Sequence, residues 1–140
     1  MSFLRFNKSK RFILSVASDY ITKFEDEISR TGYYTVSCKQ DILERISQEI
    51  DSYKSDLSDS KYSDDELRDI ALRMVCTNSF ELFEGHKYRV MGVVNMTGPA
   101  RNALQVHAKA MDLAIEKGFC TPEDVEEDSL ALQDVIKERY

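Results

Sequence analysis

Between Gly85 and Met111 the chain contains no aspartate or glutamate, although its 140 residues include 25 acids. The same window holds Lys87, Arg89, Arg101 and Lys109, both histidines and three of the five glycines. A basic stretch that includes a helix start suits an anion, because free amide donors and guanidinium groups attract negative charge. Arg89, Asn95, Thr97, Gly98 and Arg101 therefore form a candidate site for a small phosphate or carboxylate within segment 85–111. Burial is the competing explanation, since a central strand and an inward-facing helix would also exclude acids. No Gly-rich phosphate fingerprint is present, so the packing explanation carries the greater weight.

The chain ends offer a second kind of chemistry. Phe3, Leu4, Phe6 and Phe12 alternate with Arg5, Lys8, Lys10 and Arg11. That pattern suits an acidic partner, a membrane surface or a nucleic acid. Folding the aromatics onto the protein while the cations stay in water accounts for it equally well. Near the other end, Glu123, Asp124, Glu126, Glu127 and Asp128 occupy the first turns of an expected helix, where the dipole favours acids, and they lack the EF-hand spacing. They read as a solvated face that also suits docking of a basic protein. Phe3, Arg5, Phe6, Lys8, Glu123, Asp124, Glu126 and Glu127 are the candidate interaction residues. Their opposite polarities permit a head-to-tail contact within or between molecules.

Nucleophilic and metal chemistry find less support. His107 shares the expected apolar face of its helix with Ala103, Leu104 and Met111, the usual setting of a hydrogen-bonded core histidine. His86 follows Gly85 and suits capping of helix carbonyls. The two histidines stand without a carboxylate motif such as H-E-x-x-H, so neither a metal nor another cofactor is expected. Cys38, Cys76 and Cys120 are widely spaced and lack a catalytic signature around them.

The elements that must position these residues are helical. Ile13, Ala17, Tyr20, Ile21, Phe24 and Ile28 mark a helix over about 9–31. Ile42, Ile46, Ile50, Tyr53 and Leu57 mark another over about 40–57. Ser63 and Glu66 form a capping box that opens a third, over about 64–84. Thr97, Gly98 and Pro99 open a fourth, ending near Lys117, and Thr121-Pro122 opens a fifth. Lys87 to Met96 is the best strand candidate, and 33–38 is a second, weaker one. The fold class expected is mostly α: a compact bundle of about five helices in one domain over 1–140, with an optional two-stranded element pairing 33–38 with 87–94.

A net charge of −6 disfavours nonspecific nucleic-acid binding. Three scattered cysteines fit a reducing cytoplasm better than a disulfide framework. The apolar run after Arg11 passes directly into Asp19 and reads as a helix start, not a targeting segment, and no run approaches a membrane span. These features lead to a noncatalytic protein–protein interaction or regulatory module, whose partner is another protein or a second copy. The small-anion binding protein or enzyme is the alternative.

Overall fold

The computed structural model describes residues 3–32, 36–96 and 98–119, with the backbone alone at 87–90, 93–96 and 98–99. Helix α1 (Phe3–Ser29) turns Phe6, Ile13, Ala17, Ile21, Phe24 and Ile28 inward. It begins several residues before the apolar stripe predicts. Its first turns are held by tertiary contacts: Phe6 is 5% exposed, and the Lys54 ammonium lies 4.8 Å and 5.4 Å from the ring centroids of Phe3 and Phe6.

The second expected helix is divided. Helix α2 (Lys39–Ser52) buries Ile42, Ile46 and Ile50, and a short α3 (Lys54–Asp59) follows. The break falls at Tyr53, which has φ −103° and ψ 22°. Leu57 still reaches the core at 2% exposure, and Arg5 Nη1 donates to Ser58 O (3.1 Å) and Asp59 O (3.4 Å) at the end of α3. A cation on terminal helix carbonyls satisfies acceptors that have no partner within the helix.

Helix α4 (Asp64–His86) starts at the capping box, with Ser63 N–H donating to Glu66 Oε1 and Glu66 N–H to Ser63 Oγ, both at 3.1 Å. It is the central helix, packed on α1, α2 and α5 (Gly98–Glu116). The closest approach is to α5, where Ala100, Ala103 and Ala110 are fully buried. Alanine spacing of this kind lets two backbones come together while keeping helix propensity. Gly118, at φ 82°, closes α5. Its N–H donates to Ile115 O (2.9 Å) and Phe119 N–H donates to Ala114 O (2.8 Å), the bond pair of a Schellman cap.

Between α4 and α5 lies an antiparallel ribbon of β1 (Lys87–Val90) and β2 (Val93–Met96). The expected pairing of 33–38 with 87–94 is thereby corrected. Residues 36–38 form no strand, and 33–35 lie outside the described residues. Met91 (φ 53°) and Gly92 (φ 80°) both take positive φ, as a two-residue type I′ turn requires, so the strand folds back on itself. Closing so short a loop costs far less chain entropy than pairing across fifty residues.

Contacts fix the helix directions. Arg68 of α4 sits over the ring of Phe12 at 5.5 Å, and the start of α1 adjoins the start of α4, so these two run parallel. Arg73 lies over the ring of Phe119 at 5.0 Å, whereas Cys76 meets His107, so α5 runs antiparallel to both. The described residues thus form a mostly α bundle of five helices, with α3 bringing the number to five. The helix expected after Thr121 lies outside the described residues. Among those described, no helix is long and apolar enough to cross a membrane.

Candidate functional site

The acid-free window divides at the start of α5. Along that helix Ala103 and Val106 are fully buried, Asn102 is 1% exposed and His107 is 3% exposed. His107 Nδ1–H donates to Cys76 O at 2.8 Å, and its ring stacks obliquely on Phe80 with centroids 5.0 Å apart. An unpaired carboxylate placed here would lose its hydration without compensation, which is reason enough for the absence of acids. His86, at the end of α4, donates Nδ1–H to Leu82 O at 3.1 Å and serves as a carbonyl cap.

The five anion candidates are not drawn into a described site. Arg101 is half-buried on the first turns of α5, and Gly98 opens that helix. Arg89 pairs with Val94 and Asn95 with Tyr88, so the two are not cross-strand partners. Thr97 lies outside the described residues. Among the described residues no group of three or more His, Cys, Asp or Glu side chains is placed to hold a metal.

One buried polar cluster was not anticipated. Glu25, 8% exposed on α1, accepts from Ser37 Oγ (2.8 Å) and from Cys38 N–H (3.0 Å) just before α2. A carboxylate from one helix thus takes the Cys38 amide at the start of the next, where the dipole also favours negative charge. Burial, with Glu25 beside it, pushes the Cys38 thiol up to about 12, which keeps it protonated and unreactive. The signal lay in the sequence: Glu25 sits between Phe24 and Ile28 on an otherwise apolar stripe.

The N-terminal half of α1 is different. No acid occurs before Asp19, so Arg5, Lys8, Lys10 and Arg11 cluster at the end of α1 that already carries the positive pole of its dipole. Of these only Arg5 lies in the first turn, where a cation opposes the dipole. Arg5 is committed to the α3 carbonyls and Lys10 Nζ to Asp51 at 2.7 Å. Among the described residues Lys8 and Arg11 enter no ion pair. Both are exposed, beside Leu4 at 84% exposure and a half-buried Phe12.

These side chains line two adjoining cavities of about 440 Å³ and 630 Å³ that share Leu4, Lys8 and Phe12. Lys61, Asp64 and Leu67 form the far wall of the first, and Arg11 and Ser15 extend the second along α1. The result is an open groove between α1 and the start of α4, continued by an open face of α1, with apolar side chains at its base and a mainly cationic rim. Of the candidate interaction residues, Arg5 and Lys8 both line the groove, Phe6 is core and Phe3 packs under Lys54. Leu4, Arg11, Phe12 and Lys61 complete it. Glu123, Asp124, Glu126 and Glu127 lie outside the described residues. No protein family, curated protein or solved structure matches this chain.

Proposed function

We propose that this protein is a noncatalytic interaction module that docks an acidic, amphipathic segment of a partner protein in the groove on α1. The observation that supports the reading is the concentration of Lys8, Arg11 and Lys61 around exposed Leu4 and half-buried Phe12, with Lys8 and Arg11 in no ion pair among the described residues. Apolar side chains supply the affinity in such a groove, and the cationic rim selects acidic partners and speeds their encounter. The two buried thiols, Cys38 and Cys76, fit a reducing compartment, and the reading places the protein in the cytoplasm.

The test is affinity purification of the full chain from its native cells, with Lys8→Glu/Arg11→Glu run in parallel and exposed Asp112→Lys as the control. The expected result is a stoichiometric protein partner lost from the groove variant, kept by the control, and cross-linked to Lys8 through a carboxylate. A partner retained by the groove variant would overturn the reading. So would a lone monomer at physiological salt, or a groove that binds phosphatidylserine vesicles and no protein.

A further inference from the structure

The chain carries its own ligand for this groove. Residues 120–140, which follow the last described position, hold seven acids against two bases. Val125, Leu132 and Ile136 recur at helical spacing among them. Acidic residues alternating with apolar ones are what the groove asks of a partner. We propose that segment 120–140 lies along the groove on α1 in the same molecule and must be displaced before a partner docks. The inference rests on the interaction reading above and supplies its regulation.

Geometry points the segment at the groove. Lys109 of α5 pairs with Glu27 of α1 at 3.4 Å, and the two helices run antiparallel. Seven residues later, at Glu116 where α5 ends, the chain has travelled about 10 Å back along α1 at 1.5 Å per residue, to roughly the level of Tyr20. Ser15, Phe12, Arg11, Lys8 and Leu4 come next in that direction. The Phe119 ring is held by Arg73, and Arg68, which covers Phe12, lies further toward the start of α4. From Ser15 to Leu4 the groove extends about 17 Å, whereas 19 residues beyond Thr121 span about 28 Å as a helix. Segment 120–140 is therefore long enough to cover the whole groove.

Charge complementarity makes the contact specific. The acids between Glu123 and Asp128 would meet Arg11 and Lys8, the two cations lining the α1 side of the groove that enter no ion pair among the described residues. Being tethered, the segment acts at high effective concentration, so modest intrinsic affinity suffices for cover.

The experiment uses the full chain, zero-length carbodiimide coupling and a fluorescent synthetic peptide of residues 120–140. The expected coupling product joins Lys8 to a carboxylate between Glu123 and Asp128 at monomer mass, with a yield independent of protein concentration. Neutralising the tail in the full chain (Glu123→Gln, Asp124→Asn, Glu126→Gln, Glu127→Gln) should raise affinity for the added peptide about tenfold, the gain when nine-tenths of the grooves were covered. Coupling found only in dimers, with concentration-dependent yield, would overturn cover within one molecule and replace it with a head-to-tail pair. Absence of coupling, with unchanged peptide affinity, would overturn the inference; the interaction reading then survives if Lys8→Glu/Arg11→Glu still loses its protein partner, and falls with it if not.

Discussion

The two longest acid-free stretches of this chain lack acids for opposite reasons. Along α5 the exclusion is a matter of burial: Ala103, Val106 and Ala110 are fully enclosed against α4, and even His107 gives its proton to a carbonyl. Along the first half of α1 the outward face is in water, with Leu4, Lys8 and Arg11 exposed, so on that face desolvation excludes nothing. An acid would be tolerated there, and at the positive end of a helix even welcome. The comparison teaches that charge bias in a sequence signals a binding surface only where the residues concerned remain solvated.

The sharpest way to break the comparison is to place an acid in each window. Ala103→Asp should cost more than about 3 kcal/mol, the scale of an uncompensated buried charge, and urea denaturation should show it as a collapse of the transition midpoint. A small loss there would mean that α5 is less tightly held than its burial implies. Glu25 is the informative exception, an acid that the interior accepts because Ser37 and Cys38 pair with it. Glu25→Ala should lower stability by about 2 kcal/mol, as expected when buried donors lose a charged acceptor, again read by urea titration.

The same cluster sets a dependence on alkaline pH. Folding favours the protonated Cys38 thiol, whose ordinary value of 9.0 rises to about 12 through burial and the neighbouring Glu25. Stability from this source is complete below pH 9.0 and is lost as the pH climbs toward about 12, because only the unfolded thiol ionises in that window. Melting temperatures across this range should fall more steeply for the native chain than for Cys38→Ala. Parallel slopes would show that the thiol is not the group responsible.

Smaller effects sharpen the picture at the edges of both windows. Met91 holds a left-handed conformation at the tip of the ribbon, with its side chain 97% exposed. Met91→Asn should therefore stabilise by about 1 kcal/mol, since Asn-Gly suits a type I′ turn, and calorimetry would detect the gain. Last comes Lys8→Glu, expected to change stability by less than about 1 kcal/mol while removing partner binding. A large loss of stability would instead make Lys8 a structural residue and take the groove out of the comparison.

Much of the architecture was legible beforehand. Ile42, Ile46 and Ile50 and the Ser63–Glu66 capping box each specify local structure by rules that act within a few residues, and each occupies its expected place. The break at Tyr53 was not legible, because the apolar spacing runs on unchanged to Leu57 and only the docking of Arg5 on the end of α3 favours two helices. The ribbon partner was misread because positive φ at Met91 is a conformation its residue type does not advertise. Of the candidate site, the sequence offered cations and aromatics near one end without their sorting: Phe6 became core, Arg5 and Lys10 took structural partners, and Lys8 and Arg11 were left facing the groove.

By itself, then, the sequence determined the helices, their caps and the polarity of the two chain ends, since periodicity and charge are properties of neighbouring residues. Tertiary structure alone decided which acid-free stretch is enclosed and which is open, and which cations remain available. Those outcomes depend on residues brought together from distant parts of the chain, such as Arg5 with Ser58 and Cys76 with His107, and no local pattern encodes them.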